Sequence, residues 1–128
     1  MKISKNLLLL VLVALSACDD NTLAPFEPEV TNTPDNFQMQ ATGVKNVSFD
    51  RTYSWSNSGT QATVNHSTTK TAGSARITIR DAGGAVVYDK ALAPSLNEDT
   101  SAGTSGTWTI RVRLSGYSGT LNFRVQKL

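Results

Sequence analysis

The chain is 128 residues long and contains twelve Lys or Arg, ten Asp or Glu, one histidine and one cysteine. A single cysteine excludes an intrachain disulfide. A zinc site needs three or four converging His, Cys or carboxylate ligands, and the presence of one histidine argues against such a site. Without residues 1–17 the formal net charge falls from +2 to 0, so the basic character of the full chain is a poor guide to its partners.

Residues 1–17 have the build of a secretory signal peptide. Lys2 and Lys5 form a positively charged start, residues 7–15 are apolar, and the small residues Ser16 and Ala17 come next. The apolar run is shorter than the roughly 20 residues that a membrane-spanning helix needs. The pattern therefore predicts export rather than a permanent transmembrane anchor.

The string Leu15-Ser16-Ala17-Cys18 resembles the lipobox of bacterial lipoproteins. The resemblance implies that the Cys18 thiol carries diacylglycerol, that a peptidase cuts before it, and that Cys18 becomes the lipidated N-terminus. Two or more acyl chains then give a stable anchor. The expected location is the bacterial cell envelope, on the extracytoplasmic side of a membrane. The alternative is a stray cysteine beside a conventional cleavage site.

The acidic residues Asp19 and Asp20 follow directly. Acidic residues at this place resemble either a signal for retention in the inner membrane or one for export to the cell surface, and both remain open.

Residues 18–35 are predicted to form a disordered or extended linker after the lipidated cysteine. The segment contains three prolines and five acidic residues, without a basic residue or an apolar period. Leu23 and Phe26 are expected to be exposed linker side chains rather than to dock on a domain. Residues 36–128 carry ten basic and five acidic residues, which predicts a basic domain on an acidic linker.

Period-2 alternation of apolar residues predicts strands throughout residues 36–128. They are expected over residues 37–41, 47–55, 61–67, 75–81, 85–92, 107–114 and 120–125. Turns are expected at residues 57–59, 82–84 and 115–119, and a long loop over 93–106. About seven antiparallel strands predict an all-β fold, a β-sandwich or a related barrel. The expected centre of its core is Phe49, Trp55, Trp108 and Phe123.

Three strings of strand and turn residues, at 77–84, 106–112 and 118–121, resemble small extracellular β-sandwich modules of the bacterial pre-peptidase C-terminal type. This resemblance covers the last half of the chain. It implies a non-catalytic module, and it assigns no functional residue.

Few residues are suited to catalysis or to metal binding. His66 ends an apolar face, which favours a structural histidine over a catalytic one. Loop carboxylates offer oxygen ligands for calcium, and the candidate metal ligands are Asp81, Asp89 and Asp99, with Asn97 and Glu98 nearby. A pair of the same carboxylates is the one route to a small hydrolase.

The arginines form the main candidate binding surface. If the strands share a sheet, Arg76, Arg80, Arg111, Arg113 and Arg124 all project from its outer face. Guanidinium groups bind phosphate and carboxylate in a fork geometry. The expected ligands are anionic lipid head groups, lipopolysaccharide, acidic glycans or an acidic partner protein. The alternative is a solvated face that keeps the sheet from aggregating. Nucleic acid is not expected, because interleaved aromatic residues are lacking.

These patterns together predict a lipid-anchored, non-enzymatic binding module that contacts the membrane through its lipid. No cofactor is expected, and calcium is the one candidate ion. The alternatives are a structural or assembly lipoprotein that partners another envelope protein and, more distantly, a small hydrolase.

Overall fold

The computed structural model describes residues 26–128. The predicted signal peptide, Cys18 and most of the predicted linker lie outside these described residues. The described part is all-β, with the strands β1 (Glu29–Thr33), β2 (Asn36–Asn57), β3 (Ala62–His66), β4 (Thr69–Arg80), β5 (Val86–Ala91), β6 (Leu96–Asp99) and β7 (Gly106–Lys127). Within this range no helix is long and apolar enough to cross a membrane.

Two long strands organise the sheet. β2 and β7 have 22 residues each and pair antiparallel almost from end to end. On the other side of β7, its residues 109–120 pair with β4 and its residues 123–127 pair with β3. The sheet therefore has two halves that share β2 and β7: the β4 half (β2, β7, β4 and β5) and the β3 half (β1, β2, β7, β3 and β6).

The shared strands bend where the halves meet. A straight strand would hold Phe37 and Tyr53 of β2 roughly 50 Å apart, yet their ring centroids are 5.3 Å apart. Register shifts mark the bend, between Ala41 and Phe49 on β2 and between Lys70 and Ser74 on β4. An extra residue at such a bulge bends a strand and raises its twist. The all-β antiparallel prediction is confirmed, and one folded sheet with a shared core is consistent with a sandwich.

The bulges also change which residues of β7 face the core. Before the bend the buried residues are even-numbered (Trp108, Ile110, Val112 and Leu114), and after it they are odd-numbered (Tyr117, Leu121, Phe123 and Val125). The prediction of a turn at residues 115–119 is therefore wrong, because the chain continues there as one bulged strand. The positive φ angles of Gly116 (52°) and Gly119 (138°) serve the bend rather than a hairpin.

The core forms between the two halves. Trp55 and Trp108 meet edge to face at 5.9 Å, and Phe37 stacks on Phe123 at 5.9 Å. Full burial of a large apolar side chain contributes about 1.5–3 kcal/mol, so each of these rings adds substantially to the packing energy. Three of the four residues predicted at the core centre are confirmed as buried, whereas Phe49 lies at the edge of the core and is half-buried.

The sheet begins before residue 36, the start expected from the sequence. Glu29–Thr33 pairs with the first residues of β2, although its five residues are all exposed. Phe26 docks as well, edge to face on Phe49 at 5.2 Å, which corrects the expectation of an exposed linker side chain. A second strand, Leu96–Asp99, pairs with β3 inside the predicted loop of residues 93–106. Both are edge strands without a buried face, so they lack the alternation that reveals a strand.

Candidate anion-binding face

Four arginines lie together on the outer surface of the β4 half. Arg76 and Arg80 alternate on β4 with the buried Ile77 and Ile79, and Arg111 and Arg113 alternate on β7 with buried apolar residues. We call this surface the arginine face; its other members are Asp50, Thr52, Thr78, Asp89 and Thr109. The strand register places Arg76 opposite Arg113 and Thr78 opposite Arg111.

The fifth predicted arginine is not part of this surface. Arg124 pairs with Gln38 and Asn65 in the β3 half, beyond the bend of β7. The prediction that all five project from one face is wrong for Arg124, because it assumed a sheet without a bend.

Two ion pairs cross the arginine face. Arg111 donates two hydrogen bonds to the Asp50 carboxylate, at 2.9 and 2.7 Å. Arg76 Nε donates to Asp89 Oδ1 at 2.7 Å, and the Thr78 hydroxyl donates to the same oxygen at 2.9 Å. The bonds from Arg111 lower the pKa of Asp50, and those from Arg76 and Thr78 lower the pKa of Asp89. Exposed ion pairs contribute little to stability, so these contacts mainly fix the positions of the charges.

The other two arginines have no carboxylate partner among the described residues. Arg80 donates to the carbonyl of Gly84 at 3.0 Å. Arg113 has one long hydrogen bond, from Nη2 to the Thr78 hydroxyl at 3.5 Å, and its Nε is buried without a partner. Four guanidinium groups face two carboxylates, so the arginine face carries two positive charges in excess.

Two depressions lie on the arginine face. One encloses about 500 Å³ beside Arg76 and Arg113, and it is bounded by Ser48, Phe49, Asp50, Ser74, Leu114 and Ser115. The other encloses about 450 Å³ beside Arg80 and Arg111, among Thr52, Thr78 and Thr109. Asp50 lines both, so the Asp50–Arg111 ion pair stands between them. Small anionic groups therefore have two places to contact guanidinium groups.

The three predicted metal ligands have different partners. Asp81 is buried and accepts backbone N–H groups of Gly83 (3.0 Å), Ala85 (2.8 Å) and Thr104 (2.9 Å). These bonds, that of Thr104 first, lower the pKa of Asp81. Asp99 accepts a hydrogen bond from the Thr63 hydroxyl at 3.0 Å.

Asp89 belongs to the arginine face, as described above. Within residues 26–128 no three His, Cys, Asp or Glu side chains lie close enough to hold a metal ion. The structure thus does not bring Asp81, Asp89 and Asp99 together, and Asp81 acts as the cap of its turn.

His66 joins the two halves in the interior. It is 1% exposed, its Nδ1 lies 2.8 Å from the carbonyl oxygen of Leu92, and its Nε2 lies 3.1 Å from the Tyr88 hydroxyl. Tyr88 donates to Glu98 at 2.9 Å, and Lys90 pairs with the same carboxylate at 2.9 Å. Burial raises the pKa of Tyr88, and the bond from Lys90 lowers the pKa of Glu98. Both ring nitrogens are occupied, as a structural histidine requires.

The network of Tyr88, Lys90 and Glu98 could not be found from the sequence, because its residues form no motif. Tyr88 and Lys90 lie on β5 and Glu98 lies on β6, and these two strands do not pair with each other. The comparisons with known proteins add no family to these observations: no family model matches the chain, and no curated protein or solved structure matches it significantly.

Proposed function

We propose that the protein is a lipid-anchored, non-enzymatic binding module of the bacterial cell envelope that holds an anionic ligand on its arginine face. The observation that carries the ligand class is the excess charge of that face, where Arg80 and Arg113 have no carboxylate partner among residues 26–128. Guanidinium groups fixed on a rigid sheet lose little freedom when they bind an oxyanion, which favours affinity.

The anchor in this proposal comes from the sequence. Cys18 follows a signal-peptide pattern and ends a string that resembles a lipobox. Phe26, which is eight residues after Cys18 in the sequence, packs against Phe49. Eight residues span at most roughly 28 Å. A lipid on Cys18 would therefore keep the arginine face near a membrane surface, where phosphate and other anionic groups are concentrated.

The ligand part of the proposal is tested with the acylated protein in a neutral detergent and dextran sulfate as the anionic probe. Replacing Arg111 and Arg113 by glutamine should weaken binding at low salt by about tenfold or more, since each removes a charge-assisted contact. The matched control replaces Lys45 and Arg124 by glutamine, which removes the same charge outside the arginine face and should change binding only slightly. Equal losses in the two double variants would refute a ligand role for this face.

The anchor part is tested by labelling cells with radioactive palmitate. Cys18 is the one cysteine of the chain, so Cys18→Ala should abolish the label and release the protein from the membrane fraction. Ser16→Ala keeps a small residue before the cysteine and should leave both unchanged. Label that persists in Cys18→Ala would disprove lipidation at this position.

A further inference from the structure

Arg76 and Arg113 stand directly opposite each other on β4 and β7. Like charges in this relation repel and destabilise a strand pair. Asp50 is opposite Arg113 on β2, but its carboxylate is taken by two hydrogen bonds from Arg111. Arg76 is compensated by Asp89 at 2.7 Å, whereas Arg113 has no carboxylate partner within residues 26–128. Asp50 and Asp89 both lie near enough to interact with the charge of Arg113, but each is bonded to another arginine, so Arg113 has no ion pair of its own.

Three serines lie beside this pair in the depression of about 500 Å³, which we call the serine–arginine groove (Ser48, Phe49, Asp50, Ser74, Arg76, Arg113, Leu114 and Ser115). The carboxylate of Asp50 in this groove is bonded to Arg111. Ser74 and Ser115 are also directly opposite each other, next to the two arginines. The Ser48 hydroxyl accepts a hydrogen bond from the backbone N–H of Gly116 at 3.1 Å. A hydroxyl that accepts one bond can still donate another, so Ser48 is a donor for a ligand.

We infer that the serine–arginine groove binds a phosphate monoester, an inference that rests on the proposed function and names its ligand class. A phosphate monoester carries about −1.5 to −2 charges at neutral pH and offers three terminal oxygens. In the groove it meets the guanidinium group of Arg113, which has no ion pair of its own within residues 26–128, and that of Arg76, which is paired with Asp89. Its oxygens can accept from both guanidinium groups and from a serine at once, whereas a single carboxylate has only two oxygens to share.

The groove leaves room for more than a phosphate group. It is an open depression of about 500 Å³, so an organic group attached to the phosphate can lie beside it. Phe49, which is half-buried, also lines the groove, whereas the side chain of Leu114 is 4% exposed and belongs to the core. A soluble sugar or polyol phosphate and the head group of a lipid monoester share this chemistry, and the experiment separates them.

The experiment is titration calorimetry of the acylated protein in a neutral detergent. The probes are glycerol 3-phosphate as a soluble monoester, dihexanoyl phosphatidic acid as a lipid monoester, and dihexanoyl phosphatidylglycerol and acetate as controls. We expect a monoester to bind at least about tenfold more tightly than either control. Arg113→Gln should lose this preference, and Arg124→Gln, which removes a charge from the other half, should keep it.

Ser74→Ala and Ser115→Ala change exposed side chains and probe the groove without changing its charge. Each should weaken monoester binding by several-fold. If both monoesters bind, the groove recognises the phosphate head group that they share. If phosphatidic acid alone binds, the ligand is a lipid. Either outcome supports the inference. The inference is wrong if monoesters and controls bind equally, or if Arg113→Gln and the serine variants all retain the preference. If the inference fails but dextran sulfate binding still depends on Arg111 and Arg113, the proposed function remains supported. If dextran sulfate binding does not depend on these arginines, the proposed function and the inference are both wrong.

Discussion

The close approach of β4 and β7 at their bend leads to a prediction about Gly73. Its φ angle is +75°, and a Cβ added there would lie 2.5 Å from the carbonyl oxygen of Ser115 and closer still to the backbone of Gly116. Gly43, on the bulged part of β2, has a similar φ of +62° but nothing within 4 Å of such a Cβ. Gly73→Ala and Gly43→Ala therefore share the backbone strain and differ in the steric contact.

The expected energies follow from these two terms. An L-residue in the left-handed region costs about 1–2 kcal/mol, and both variants should lose this amount of stability. The overlap at Gly73 is with backbone atoms of the neighbouring strand, so no side-chain rotation relieves it. Overpacking of this kind costs about 1–3 kcal/mol. We therefore expect a loss of about 1–2 kcal/mol for Gly43→Ala and of about 2–5 kcal/mol for Gly73→Ala.

The assay is urea unfolding of the purified proteins, followed by the fluorescence of Trp55 and Trp108, which are buried at 1% and 0% exposure. The difference between the free energies of unfolding of Gly43→Ala and Gly73→Ala measures the energy of the steric contact at the bend. If the two variants agree to within about 0.5 kcal/mol, β4 and β7 do not approach each other as described.

Three further predictions concern stability. Tyr88→Phe removes the hydroxyl that links His66 to β6 and should lower the free energy of unfolding in urea by about 1–3 kcal/mol. Tyr53→Phe is the control and should not lower it, because the Tyr53 hydroxyl is buried without a partner among the described residues. Equal losses in the two variants would contradict this. Backbone amides hold the pKa of Asp81 in the folded protein below its ordinary value of 3.8. The ionised carboxylate therefore stabilises the fold fully above about pH 3.8, and this stabilisation is lost as the pH falls through the lower pKa of the folded state. The melting temperature of Asp81→Asn should accordingly fall less steeply on acidification than that of the unaltered protein, and parallel curves would exclude the effect. Phe26→Ala should cost about 0.5–1.5 kcal/mol through its lost aromatic contact and speed proteolysis at the N-terminal end of the described chain, and an unchanged cleavage rate would mean that Phe26 does not dock.

Local alternation predicted the β4 half of the sheet well. Ile77 and Ile79 on β4, and Trp108 and Ile110 on β7, alternate with polar residues, and the same alternation placed four arginines on one surface. The sequence does not reveal the bend, because glycine with a positive φ angle serves tight turns and bulges alike. Gly116 and Gly119 therefore predict a turn where the strand in fact continues, and alternation predicts one common face for all five arginines although Arg124 lies in the β3 half.

The ion pairs on the arginine face could not be predicted from the sequence either. Asp50 is 61 residues from Arg111, and only the register of β2 against β7 brings their side chains together. Likewise, the string Asp81 to Gly84 indicated a turn, but the third amide that Asp81 accepts comes from Thr104 across a long loop. Contacts of this range depend on strand order, which alternation does not specify.

The central place of β7 has a consequence for the order in which the sheet assembles. β7 follows all of its neighbours in the chain, and the pairings of the described strands that do not involve it are β1 with β2, β3 with β6, and β4 with β5. A nascent chain that has not yet reached Gly106 thus has only three separate ribbons, and isolated two-stranded ribbons are marginal in water. The complete sheet can therefore form only after the last strand of the chain has been made.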